Sequence, residues 1–126
     1  MKKLFRKLFP SKEMRAYNKM YRRHRKELVK HAKETHEWDW SWMHDSVIMQ
    51  IRHMYEYYVA KNNVWQDDTT RLPIVEQLKH VLDLQEELDT LWDLNSVNFD
   101  TGWQREVELY KEIYIFISEH VFEWWD

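Results

Sequence analysis

The sequence predicts an all-α protein, built as a bundle of four main helices. Apolar side chains recur at alternating spacings of three and four residues along four stretches, which is the period of a helix face. The chain has 1 Gly and 2 Pro, so it lacks the turn residues that hairpins require. Its 8 Trp, 7 Tyr and 5 Phe supply enough apolar area for a core without disulfides or metals. At 126 residues, we expect one helical domain over 11–126.

Residues 1–10 are predicted to form a short, basic, amphipathic arm. Interleaved apolar and cationic side chains of this kind can touch a membrane or a groove on a partner. The two turns before Pro10 would bind weakly on their own, so we expect an arm that frays or swaps to a neighbouring subunit. The side chains are Leu4, Phe5, Leu8 and Phe9 with Lys2, Lys3, Arg6 and Lys7.

The first helix is expected over about 11–35, with Ser11 as its N-cap. Its inward stripe is unusually polar, because two of its six positions are histidine. The stripe consists of Met14, Tyr17, Tyr21, His24, Leu28 and His31.

The second helix is expected over about 39–62, where Asp39 or Ser41 can cap the free amides of the first turn. Asn62 and Asn63 end it, and a loop with exposed acidic residues follows. Its apolar stripe consists of Trp40, Met43, Val47, Ile51, Met54 and Tyr58.

The third helix is expected over about 70–94. Pro73 is tolerated in its first turn, where the backbone amides have no helical partner. Its outer face is acidic. The residues that we expect to face inward are Ile74, Leu78, Val81, Leu88 and Leu91.

The fourth helix is expected over about 101–125, opened by a capping box from Thr101 to Gln104. One apolar stripe has a period near 3.5 residues, as in coiled coils. A helix this apolar around its circumference is buried on several sides, so we predict a homo-oligomer that associates through this helix. The candidate interface residues are Trp103, Val107, Tyr110, Tyr114, Ile117, Val121 and Trp124.

Charge divides the chain into a basic first part and an acidic remainder. Residues 1–37 carry 13 Lys/Arg and 4 Asp/Glu, a net charge of +9. Residues 38–126 carry 6 and 18, a net charge of −12, and the two sum to the overall −3. A basic segment of this kind binds a polyanion or docks on an acidic surface of its own or a neighbouring subunit.

Several classes of protein are disfavoured by what the sequence lacks. With no Cys it has no disulfide scaffold, thiolate nucleophile or zinc finger, and no apolar run approaches the roughly 20 residues that span a bilayer. The residues 1–9 do not resemble a secretory signal. We therefore expect a cytoplasmic protein.

Neither a metal site nor catalytic machinery is predicted. Di-metal bundles use Glu-x-x-His, whereas 24–27 and 31–34 carry the reverse order His-x-x-Glu within a cationic run. Ser41, His44 and Asp45 lie close together along one helix, where triad members rarely converge on one reacting atom. We therefore expect that the protein is not an enzyme and that it uses no cofactor.

Aromatic and basic residues on the first two helices form the candidate ligand site. Flat rings can stack on a base, and guanidinium groups form charge-assisted bonds with phosphate. Three Trp at every second position cannot all lie on one helix face, so at least one is expected at the surface or at an interface. The candidates are Tyr21, Arg22, Arg23, His24, Arg25, Trp38, Trp40, Trp42, Arg52, His53 and Tyr57.

Two tryptophan-containing stretches carry a recognisable pattern: 39–43 reads Asp-Trp-Ser-Trp-Met, and 119–126 reads Glu-His-Val-Phe-Glu-Trp-Trp-Asp. Over 38–126 the chain resembles a group of small helix-rich proteins of tailed bacteriophages. That group shows an Asp-Trp-Ser-aromatic opening, an amphipathic helix, an acidic helix and a terminal Trp-Trp-Asp. The resemblance implies a viral accessory protein that acts in the host cytoplasm, and it implies no reaction.

Together these features predict a non-enzymatic accessory protein that interferes with the host. The expected mechanism is counter-defence by sequestering a small anionic, nucleotide-like ligand in an aromatic and basic pocket. One alternative is a protein-binding inhibitor that uses its acidic helix or basic arm against a host enzyme. Another is a virion or packaging component that binds nucleic acid through residues 12–33.

Overall fold

A computed structural model of the chain describes residues 12–34, 39–60, 68–93 and 98–124. Every element within these residues is a helix, which confirms the predicted fold class and the four main helices. They are α1 (Lys12–Lys33), α2 (Trp40–Val59), α3 (Asp68–Thr90) and α4 (Phe99–His120), with 3-10 turns at Leu91–Asp93 and Val121–Glu123. None of the helices in these ranges is long and apolar enough to cross a membrane. The predicted arm at 1–10 and Trp38 lie outside the described residues.

The chain divides into two compact units, Met1–Trp65 and Gln66–Asp126. The first contains α1 and α2, and the second contains α3 and α4. The expectation of one domain over 11–126 stays a prediction.

In the first unit, the buried side of α2 differs from the expected stripe. Trp40 and Met43 are 58% and 60% exposed, whereas the buried side begins at His44 and His53 is also buried. Histidines occupy core positions here because they find hydrogen-bond partners, and this rotates the inward face away from the purely apolar pattern. The buried residues of α2 are His44, Ile48, Met49, Ile51, His53 and Tyr58.

The second unit follows the predicted pattern of α3 closely. All five residues expected to face inward are buried, and Leu78 and Val81 are fully enclosed. From α4, Leu109 and Ile113 are fully enclosed as well. The core of this unit therefore joins the apolar side of α3 to the side of α4 that carries Leu109 and Ile113.

The predicted interface stripe of α4 lies largely outside this core. Trp103 is 54% exposed, and Tyr114 and Val121 are also exposed, while Val107, Tyr110 and Ile117 are partly buried. Trp124 differs, because it is buried and its indole N–H donates to Gln77 Oε1 of α3 at 2.8 Å. Trp124 thus belongs to the unit's own packing.

Helix α4 begins at Phe99, two residues before the expected start. Asn98 is the N-cap, and its side-chain Oδ1 accepts a hydrogen bond from the Thr101 amide at 2.9 Å. Asparagine is among the best N-cap residues, so the helix starts there and the expected capping box at Thr101 does not form its start. At its other end α4 stops at His120, earlier than expected.

A charged network also joins α3 to α4. The Arg105 guanidinium donates to Glu87 Oε1 across the two helices at 2.8 Å and to Glu112 Oε1 along α4 at 3.2 Å. The hydrogen bond with Glu87 raises the pKa of Arg105. Surface pairs of this kind contribute little each, so the core side chains hold the unit together.

Candidate functional site

Four side chains of α1 and α2 form a polar cluster with buried rings and half-buried carboxylates, the His/Glu quartet of His24, Glu27, His53 and Glu56. The imidazole rings of His24 and His53 are stacked, with centroids 3.8 Å apart and planes within 6°. His24 Nε2 lies 2.9 Å from Glu56 Oε2, and His53 Nε2 lies 2.9 Å from Glu27 Oε2. Each histidine therefore bonds a carboxylate of the opposite helix.

The quartet repeats one motif on two helices. His24-x-x-Glu27 on α1 is matched by His53-x-x-Glu56 on α2. Because residues three apart lie on the same helix face, each helix presents one ring and one carboxylate to the other. From the sequence, the first pair was interpreted only as a reversed metal motif and the second pair was not predicted. The identical spacing of the two pairs is the signal that could have revealed the second.

Both carboxylates of the quartet have partners within the unit. Arg23 also pairs with Glu56, and both histidines are buried while the carboxylates reach water. The hydrogen bond from His53 holds the pKa of Glu27 below its ordinary value of 4.5. Arg23, His24 and His53 are thus committed to contacts within the unit.

A second cluster lies nearer the start of α2. Trp42 stacks on His31 with centroids 4.7 Å apart, and its indole N–H donates to the His31 carbonyl at 3.2 Å. His31 Nε2 lies 2.6 Å from Ser46 Oγ, while the Ser46 hydroxyl donates to the Trp42 carbonyl. The Ser46 hydroxyl is thus held between the His31 ring and the Trp42 backbone carbonyl. Trp42 therefore serves packing between α1 and α2.

The remaining candidates sit at the surface of the first unit. Tyr21 is 51% exposed, and the Arg25 guanidinium lies over its ring at 5.8 Å from the centroid. Tyr17 is stacked with Tyr21 at 6.4 Å and meets Tyr57 edge-on at 5.9 Å. The structure thus places Tyr21 and Arg25 together, with Tyr57 linked through Tyr17.

Arg22 belongs to the same exposed surface of α1. It lines a cleft of about 500 Å³. Arg52 and Trp40 are exposed on α2. The cleft's lining among the described residues is Ala16, Lys19, Met20, Arg22, Arg23 and Lys26.

Within the described ranges, no group of three or more His, Asp or Glu side chains is arranged to hold a metal ion. In the quartet, the Nε2 atom of each histidine is engaged with a glutamate carboxylate of the opposite helix.

No protein-family model, curated protein or solved structure matches the chain. The resemblance to tailed-phage proteins stays a prediction.

Proposed function

We propose that the protein is a non-enzymatic binding protein that captures a phosphate-bearing nucleotide ligand on the exposed surface of α1. The observation that carries this proposal is the group of Tyr21, Arg22, Arg25 and Lys26. It combines an exposed aromatic ring with three exposed cations, and none of the three forms an ion pair with a described residue. Rings favour bases, and guanidinium groups favour phosphates.

The proposal differs from the predicted pocket in where it places the ligand. His24, His53, Arg23 and Trp42 already have partners inside the unit. Displacing the contacts of the buried His24 and His53 would leave their ring nitrogens without hydrogen bonds, at a cost of about 1–3 kcal/mol each. The exposed cations of α1 can bind an anion while these internal hydrogen bonds stay intact.

As part of the same proposal, the protein is a phage-type accessory protein that acts in the host cytoplasm. It counters a host defence by sequestering the ligand, so that the ligand is no longer free in the cell. Such a role requires stoichiometric binding and no turnover. It rests on the sequence resemblance and on the binding surface together.

Reversing two charges on α1 tests the proposal. In the double variant Arg22→Glu/Arg25→Glu, we expect affinity for nucleotides to fall at least about tenfold, because each charge-assisted hydrogen bond is worth about 1.5–3 kcal/mol. Binding of labelled ATP and of a labelled thymidine oligonucleotide is measured by fluorescence anisotropy at fixed salt.

The matched control is Lys79→Glu/Lys111→Glu. Both lysines are exposed on the second unit, and the change in net charge is the same. Equal loss in both variants would mean that overall charge, and not the α1 surface, controls binding. If neither probe binds the unmodified protein, the proposal is wrong, and a protein partner on the acidic face of α3 becomes the better explanation.

We also propose that the protein is a homo-oligomer that associates through α4. The exposed part of the stripe supports this, since Trp103 and Val121 leave apolar surface uncovered on the unit. Native mass spectrometry should show more than one subunit, and Trp103→Ser/Val121→Ser should shift the protein toward the monomer. Phe122→Ser is the control, because Phe122 is 83% exposed and lies outside the stripe. A monomeric unmodified protein would rule the association out.

A further inference from the structure

Seven cations lie along one side of α1 and form a continuous basic ridge. Their spacings are three, four, three, four, four and three residues, so at 100° per residue all seven fall within an arc of about 80°. The centre of that arc is opposite the buried His24. The ridge consists of Lys12, Arg15, Lys19, Arg22, Lys26, Lys30 and Lys33, and all seven are exposed.

The ridge is long compared with any single nucleotide. From Lys12 to Lys33 it spans 21 helical steps of 1.5 Å, or about 32 Å. At 3.4 Å per phosphate along a stacked strand, that length corresponds to about nine nucleotides.

The charges of the ridge are not neutralised within the described part of the chain. The ion pairs of α1 there involve Arg23, His24 and Glu27, all outside the ridge. Two neighbouring clefts, of about 500 and 400 Å³, share Lys26 and follow the ridge, the second reaching Lys33. Charge is therefore presented along a line and is not concentrated in one enclosed pocket.

Tyr21 lies about 100° around α1 from Arg22, which is at the edge of the ridge, and Arg25 lies between the two. Tyr21 is 51% exposed, its ring is stacked with that of Tyr17 at 6.4 Å between centroids, and the Arg25 guanidinium lies over it at 5.8 Å. Unpaired bases stack on such rings, whereas the bases of a duplex are already stacked on each other.

We propose that the ligand of α1 is an extended single-stranded nucleic acid, whose phosphates lie along the basic ridge while a base stacks on Tyr21. This inference rests on the proposed function and specifies its ligand. Affinity then grows with strand length, and binding is strongly salt-dependent because each neutralised phosphate releases counterions.

The experiment compares labelled thymidine strands of one, four and ten nucleotides with a ten-base-pair duplex, using the whole protein and fluorescence anisotropy. For the ten-nucleotide strand we expect a slope of log K against log salt of about −3 to −5, since full use of seven cations at 0.7 per phosphate gives about −5. The single nucleotide should bind at least about a hundredfold more weakly.

The most specific test substitutes one cation near each end of the ridge. Arg15→Gln/Lys33→Gln lies away from Tyr21 and should reduce the salt slope for the ten-nucleotide strand by about 1.4, leaving the single nucleotide unaffected. Lys79→Gln/Lys111→Gln on the second unit is the control and should change neither. Circular dichroism checks that the helices remain.

The following results would contradict the proposal, each in a different part. A single nucleotide that binds as tightly as the ten-nucleotide strand would overturn the extended ligand and leave the proposed function standing, whereas no binding of any strand would overturn both. Equal or tighter binding of the duplex would overturn the single-strand assignment. If polyglutamate of equal charge binds as tightly as the strand, the ridge is a general acidic-chain surface and the nucleic-acid assignment is wrong.

Discussion

Leu109→Ala should lower the free energy of unfolding by about 2–5 kcal/mol. Leu109 is fully enclosed, as are Ile113 on the same helix and Leu78 and Val81 on α3. Truncation removes buried methyl groups and leaves a cavity that the surrounding helices fill only in part. Since whole domains are stable by about 5–15 kcal/mol, one substitution would remove a large share of that stability.

The measurement is urea unfolding followed by far-UV circular dichroism. Lys111→Ala, an exposed position two residues along the same helix, should change the free energy by no more than about 0.5 kcal/mol. If Leu109→Ala lowers the free energy of unfolding no more than this control does, then Leu109 is not packed between α4 and α3 as described.

The periodicity of apolar residues was enough to predict the fold class and the core of α3. Every inward position named on α3 is buried because its stripe contains only aliphatic residues, so hydrophobic burial alone decides the orientation. The start of α4 was missed because Asn98 competes with Thr101 as the N-cap, and one turn of sequence does not decide between two good caps.

The polar core of the first unit was predicted only in part from the spacing of apolar residues. His24 was expected on the inward stripe of α1 and is buried, whereas His44 and His53 are buried although they were not in the expected stripe of α2. Their burial depends on partners that come from a different helix, such as Glu56 for His24. Such pairing can be recognised only when the packing of α1 against α2 is known. The sequence therefore pointed to His24 and His53 as ligand candidates, while the structure shows their contacts within the unit.

The two histidines of the quartet should be energetically coupled. We expect His24→Ala and His53→Ala each to cost about 2–3 kcal/mol, through the lost stacking, the lost hydrogen bond and the cavity. The double variant should cost about 1 kcal/mol less than the sum, because the stacking between the rings is lost only once. A double-mutant cycle from urea unfolding gives this coupling energy.

A second cycle provides the control. His31 stacks on Trp42 and not on His53, so His31→Ala and His53→Ala should be additive to within about 0.5 kcal/mol. Additivity in the His24/His53 cycle as well would contradict the stacked arrangement. The contrast between the cycles separates direct ring contact from a general weakening of the α1–α2 packing.

The quartet should also make stability depend on pH through Glu27. Its pKa is lowered in the folded protein, mainly by the hydrogen bond from His53, so folding favours the ionised carboxylate. This contribution is fully present above the unfolded pKa, near 4.5, and is lost as the pH falls through the lower folded value. The difference in melting temperature between the unmodified protein and Glu27→Gln should therefore be largest at about pH 6 and shrink toward about pH 3. A difference that stays constant over that range would show that the Glu27 carboxylate is not stabilised by His53.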